Sequence, residues 1–177
     1  MPQTENSTSP SGLAGLARTS HLGSECRDTA KAGGLADLWP TRGSVVVSSM
    51  ASDSHSWNLV YLELLVEELG FQVLNLGACV PDQLLVEQVE ALRPGMVVIS
   101  SVNGHGYYDG LRVIGKLRAA ASGSRIPVVI GGKLGIDGND DHRSHNLLAA
   151  GFDAVFDDSG TSPASLVSFI ARRLGPC

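Results

Sequence analysis

From Gly43 onward, short apolar runs alternate with longer segments of mixed polarity. Residues 45–49, 71–76, 96–100, 128–130 and 154–156 read as five strands, and the β-branched run at 45–49 reads as a buried one. Between and after them, apolar residues recur at three- and four-residue spacing, which predicts helices over 57–69, 81–92, 109–121, 142–150 and 162–174. Gly70 and Gly151 stand where helices end on a residue free to turn left-handed. Pro81 suits a first helical turn.

Strands that alternate with helices in this way build a doubly wound parallel α/β sheet, because parallel neighbours need a crossover and a helix supplies it. Right-handed crossovers and a five-stranded chain of this size predict a flavodoxin-like (Rossmann-like) strand order 2-1-3-4-5. In that order strands 1, 3 and 4 lie side by side, so the loops at their carboxyl ends share one rim. The crevice between strands 1 and 3, where the winding reverses, is the expected ligand position. Residues 1–40 are rich in Ser, Thr and Gly and lack sustained periodicity. They read as a flexible N-terminal extension with a weak helical stretch at 13–18, and 41–177 as the single folded domain.

Composition narrows the class. The formal charge is −5, with 13 Lys and Arg spread along the chain, which gives no clustered basic surface for nucleic acid. No apolar run approaches the ~20 residues that span a bilayer. The first eleven residues lack the basic and apolar regions of a secretory signal. Cys26, Cys79 and Cys177 are too scattered for a disulfide framework or a zinc site, which suits a cytoplasmic setting. Twenty-one glycines exceed average usage, and many follow predicted strands.

The three rim loops carry the candidate chemistry. The loop after strand 1 reads Ser49-Met50-Ala51-Ser52-Asp53-Ser54-His55-Ser56-Trp57-Asn58. The loop after strand 3 reads Ser100-Ser101-Val102-Asn103-Gly104-His105-Gly106, and the loop after strand 4 begins Gly131-Gly132-Lys133-Leu134-Gly135. Asp53 and His55 are spaced so that the carboxylate can fix one imidazole nitrogen while the other binds a metal. A solvated loop with a capping aspartate and an incidental histidine is the plainer reading of the pair alone. One protein ligand cannot hold zinc, so a metal on His55 would need a macrocycle to complete its coordination.

Asp53-Ser54-His55-Ser56-Trp57-Asn58 resembles the D-x-H-x-x-G signature of cobalamin-binding domains, with Asn58 in place of the glycine. Ser100-Ser101-Val102 resembles the family's S-x-L, and Gly131-Gly132 its G-G. Asn75-Leu76-Gly77, Gly151-Phe152-Asp153 and Gly160-Thr161-Ser162-Pro163 further resemble the small, sigma-type subunit of glutamate mutase (methylaspartate mutase). The similarity runs from about Ser44 to Leu174.

The resemblance implies a subunit that binds adenosylcobalamin with the dimethylbenzimidazole base off the cobalt and His55 as the axial ligand, Asp53 behind it. It implies cofactor contacts at Ser52, Ser54, Ser56, Ser100, Ser101, Val102, Gly104, Gly131, Gly132, Lys133, Leu134, Gly135, Gly160 and Thr161. Ser100 would hydrogen-bond the base, and 131–135 would line the path of the nucleotide tail. Asn58 is expected to keep the turn because Asn tolerates left-handed backbone. Trp57 is expected under the corrin or at the helix start. A larger barrel-type catalytic subunit would bind the substrate, and glutamate would rearrange to threo-3-methylaspartate, or a close analogue would react, through a 5′-deoxyadenosyl radical. This chain would have no catalytic residue of its own.

Other readings remain. A cobalamin carrier or corrinoid protein for methyl transfer or sensing would share the domain, but such relatives carry a helical bundle before it, and the first 40 residues are short and polar. Flavin mononucleotide would suit the fold yet leave Asp53 and His55 idle. A phosphate-receiving regulator would need Asp where Ser100 stands. His142 and His145 share a helix face without a third ligand and read as surface. His105 is a rim residue that reads equally as a contact to the corrin or the partner and as plain loop polarity, and Glu63, Glu67 and Glu68 read as a solvated helix face.

Overall fold

A computed structural model describes residues 43–123, 125–136, 141–158 and 162–175. The extension at 1–40, Cys26, Cys177, Gly160 and Thr161 lie outside the described residues. Five strands and five helices alternate: β1 Ser44–Ser49, α1 Trp57–Glu67, β2 Gln72–Asn75, α2 Asp82–Leu92, β3 Met96–Ser101, α3 Gly106–Ala119, β4 Val128–Gly132, α4 Asp141–Ala150, β5 Ala154–Asp157 and α5 Pro163–Leu174. All strand pairs are parallel, in the order β2-β1-β3-β4-β5. That is the doubly wound order expected from the alternation.

Alternate residues of the central strands face opposite cores. Val46, Val97, Ile99, Val128 and Ile130 pack with Leu85, Val89, Val113, Ile114, Leu117 and Leu147 from α2, α3 and α4. Val45, Val47, Met96, Val98 and Val129 pack with Leu59, Val66, Leu166 and Ile170 from α1 and α5. Period-two strands with both faces covered explain why the sequence shows continuous apolar runs there. No helix among the described residues is long and apolar enough to cross a membrane.

Several boundaries differ from expectation. α3 begins three residues early, at Gly106, where a Cβ would meet Ser101 Cβ at 2.8 Å. β4 runs through Gly131 and Gly132, which pair with Ser100 and Ser101, so these glycines are strand rather than loop. Pro81 stands just before α2 as its cap, with extended backbone, and does not take the first helical position. α2 ends on Arg93 in the left-handed region at φ 47°, before Pro94, without a glycine. Glu63 is half-buried and accepts from Asn75 Nδ2 at 2.8 Å, so that part of the α1 acidic face serves β2.

Candidate functional site

The loop of residues 50–56 leaves the carboxyl end of β1 and is organised around Asp53, which is fully buried. Its amide donates to the Met50 carbonyl at 3.0 Å. Its carbonyl accepts from the Cys79 amide at 2.9 Å and Ser49 Oγ at 3.2 Å. Oδ1 of the carboxylate accepts from the His55 amide at 3.1 Å and faces His55 Nδ1 at 2.7 Å. Oδ2 accepts from the Val102 amide at 2.5 Å and the Asn103 amide at 3.3 Å. Burial pushes this carboxyl up, but the Val102 and His55 amides, the His55 ring and the Asn103 amide outweigh it and hold it below the usual carboxylate range.

An ionised carboxylate only accepts, so the His55 nitrogen facing it carries the proton. In the neutral ring Nε2 then keeps its lone pair, and the side chain is 45% exposed. This is the arrangement in which a carboxylate fixes the tautomer and aim of a metal-binding histidine.

A second polar network ties the loop to α3 and α2. Ser52 Oγ donates to Asp109 Oδ2 and accepts from Asn103 Nδ2 at 3.0 Å. Asp109, 7% exposed, accepts from Arg112 Nη1 at 2.5 Å. Arg112 also grips Asp82 through Nε at 2.6 Å and Nη2 at 2.9 Å, and Lys116 Nζ joins at 2.9 Å. The Arg112 guanidinium, against burial and with help from Lys116, holds the Asp82 carboxyl below its usual range.

Beside the rim, an apolar crevice of about 460 Å³ opens between α1 and α5 over β3 and β4. That size suits a bound heterocycle. α1 contributes Trp57, Asn58, Tyr61, Leu62 and Leu65; β5 and α5 add Phe156, Pro163 and Leu166. No β1 residue lines it, so it lies one strand to the side of the β1–β3 reversal. Ser100, Ser101, Val102, Gly131, Gly132 and Lys133 all border it. Leu134, 1% exposed, belongs instead to the core under α2 to α4. Gly135 abuts the Arg143 side chain, and Gly104 turns the β3–α3 loop at φ 82°.

At the paired glycines the sheet itself forbids a side chain. A Cβ on Gly132, at φ 92°, would lie 2.2 Å from Ser101 O, and one on Gly131 2.9 Å from Phe156 O. Ser52, Ser54 and Ser56 are exposed around His55, and Ser56 precedes α1 without a capping hydrogen bond. Trp57 starts α1, 66% exposed. Among the described residues no three His, Cys, Asp or Glu side chains converge on an ion site.

Asn58 corrects one expectation. It is the second residue of α1, and among the described non-glycine residues only Cys79 and Arg93 have positive φ. The position needs no left-handed turn. Sequence reasoning also passed over Tyr61, Leu62 and Leu65, although with Trp57 and Asn58 they form one face at helical spacing. Asp109 gave no signal beyond its place near a helix start.

A family model described as the B12 binding domain matches residues 43–167. The chain is 28% identical to glutamate mutase sigma subunit 2 of Haloarcula marismortui over 134 residues, 75% of this chain and 88% of that protein. It is 30% identical to the glutamate mutase sigma subunit of Halobacterium salinarum over 117 residues, 66% of this chain and 77% of that one. Among solved structures, a novel cobalamin-binding protein from Desulfitobacterium hafniense superposes with a TM-score of 0.58 at 25% identity. The match covers 75% of this chain and 59% of that chain.

Proposed function

The chain belongs to the B12-binding domain family, and from that premise we propose that it is the cobalamin subunit of an adenosylcobalamin-dependent carbon-skeleton mutase. The reaction is the rearrangement of glutamate to threo-3-methylaspartate or of a close analogue. The observation that carries the cofactor mode is the buried Asp53 carboxylate 2.7 Å from Nδ1 of an exposed His55. The sigma-subunit relatives, matched over most of their length, support the choice of reaction.

The residues present fit the group. His55 offers one nitrogen toward the rim, and the adjoining crevice is apolar, about 460 Å³, and holds a buried amide oxygen without a partner among the described residues. A nucleotide freed from cobalt would enter there, with Ser100 beside its base and Gly131 and Gly132 along its edge. Adenosylcobalamin, when bound, supplies an organic radical by breaking its cobalt–carbon bond. Asp53 keeps His55 in the tautomer and orientation that a metal requires, and the Val102 and Asn103 amides keep Asp53 ionised. The exposed serines at 54 and 56 would offer hydroxyls to the macrocycle, whereas the Ser52 hydroxyl donates to Asp109. The crevice has apolar walls and no cluster of basic groups for a dicarboxylic substrate. That supports a larger barrel-type partner subunit as the holder of the substrate.

The test is electron paramagnetic resonance of the Co(II) form bound to protein labelled with heavy nitrogen. Wild type should show coupling to a protein nitrogen, and His55→Ala should not. Coupling in both proteins, or in neither, would refute the assignment. Mixing the loaded chain with a glutamate-binding partner then separates a mutase subunit from a module that hands on a methyl group, since only the first sustains rearrangement from the adenosyl form.

A further inference from the structure

The crevice between α1 and α5 contains one buried side-chain polar atom that the described residues leave unmatched. Asn58 is 6% exposed, and its Nδ2 donates to Ser100 Oγ at 2.7 Å. Its Oδ1 is buried and accepts no hydrogen bond. An amide carbonyl taken out of water without a donor is unfavourable, and such atoms are rare in native proteins. The helix itself does not require the amide, since a second helical residue needs no polar side chain there. Asn58 also lines the crevice, together with Ser100.

Ser100 adds the complementary half. Its Oγ already accepts from Asn58, so the hydroxyl proton is left to be given to an acceptor. The pair therefore presents one acceptor, the Asn58 carbonyl, beside one donor, the Ser100 hydroxyl. A ligand edge that matches it carries a ring nitrogen next to an O–H or N–H group. Two nucleotide chemistries do so: a benzimidazole nitrogen near a ribose hydroxyl, and an adenine ring nitrogen beside its exocyclic amine.

We propose that Asn58 is a specificity-determining residue for the corrinoid, accepting through Oδ1 a hydrogen bond from an O–H or N–H donor that the nucleotide carries into the crevice. This rests on the reading of the crevice as the nucleotide's place. It gives a role of its own to the residue that stands where the cobalamin-binding signature has glycine.

The experiment measures equilibrium binding by the full chain of three corrinoids with the same upper ligand. They are adenosylcobalamin, its adenine-base analogue, and adenosylcobinamide, which lacks the nucleotide. Wild type is compared with Asn58→Leu and with Asn58→Ala, whose smaller side chain keeps the comparison available if leucine disturbs folding; urea midpoints confirm that the variant used is folded. Loss of one buried hydrogen bond predicts roughly five- to thirty-fold weaker binding of a nucleotide-bearing corrinoid. Cobinamide affinity should stay within about twofold, since it lacks the partner. Equal losses for both nucleotides assign the donor to a ribose hydroxyl, and a loss for the adenine form alone assigns it to the base amine. Unchanged or tighter binding of both, or a loss shared by cobinamide, overturns the inference and leaves the cobalamin reading intact. Failure of wild type to bind any of the three overturns both.

Discussion

The Asp53 carboxylate stands 2.7 Å from His55 Nδ1 and, through its other oxygen, takes the Val102 amide at 2.5 Å just past the end of β3. One buried group thus joins the loop that presents the histidine to the neighbouring strand. The imidazole is aimed by the sheet, although it sits on an exposed loop.

Asp53→Asn tests that coupling. An amide in place of the carboxylate must point its NH2 at the Val102 and Asn103 amides or at the His55 side, so donor meets donor. Stability should fall by about 1–3 kcal/mol, the cost of a buried donor left without an acceptor. Corrinoid affinity should fall about 10–100-fold, as for other carboxylates that support a metal-bound histidine. Titration by absorbance alongside urea unfolding reads both. An unchanged affinity in a folded variant would show that His55 needs no aiming.

Gly132→Ala and Gly115→Ala should move stability in opposite directions. At Gly132 the backbone is left-handed and a Cβ would lie 2.2 Å from Ser101 O, so alanine should remove more than about 4 kcal/mol or prevent folding. Gly115 is exposed inside α3 with nothing within 4 Å of a Cβ, and alanine there should add about 0.5–1 kcal/mol. Thermal and urea melts decide; a tolerated Gly132→Ala would mean that β4 can shift away from β3.

Asp82 should make stability depend on acid. Its carboxyl lies below the ordinary 3.8 because Arg112 and Lys116 hold it ionised. A depressed carboxyl contributes stability that is fully present above its unfolded value and is lost as pH falls through the lower folded one. The gap between wild type and Asp82→Asn should be about 1–2 kcal/mol at neutral pH, kept small by the half-exposed Arg112 and Lys116. It should narrow below pH 3.8 and close in stronger acid. Urea midpoints across that range give the curve, and a gap that stays constant into acid would contradict the ion-pair account.

The strands were legible because burial on both faces forces β-branched runs such as residues 45–47 and 96–99, and the sheet order followed from the alternation. Asp53 and His55 could be paired from sequence because both lie in one short loop. Asp82 and Arg112, 30 residues apart, and Ser52 and Asp109, 57 apart, leave no local trace, since only the crossovers bring them together. Glycines misled in two places: Gly106 and Gly131 read as loop, whereas close packing demands them inside a helix and a strand. Asn58 misled for a related reason. A motif fixes spacing, and spacing alone does not tell whether a glycine serves backbone conformation or close approach.

Ser52 and Asp109 provide the last test, of whether the second network contributes to the site. Asn103 Nδ2 donates to both the Ser52 carbonyl and hydroxyl while its amide faces Asp53, so Ser52 sits between Asp53 and Asp109. If Asp109 steadies the loop through Ser52, then Ser52→Ala and Asp109→Ala should each weaken corrinoid binding by about two- to tenfold, near the value of one partly exposed hydrogen bond. The double variant should lose less than the sum, with a coupling of about 0.5–1.5 kcal/mol, as for side chains in direct contact. Asp109→Ala should also lower stability more than Ser52→Ala, because Arg112 loses one of its two carboxylates. Strictly additive losses in affinity would sink the idea: Asp109 would then act on the site by a route other than Ser52.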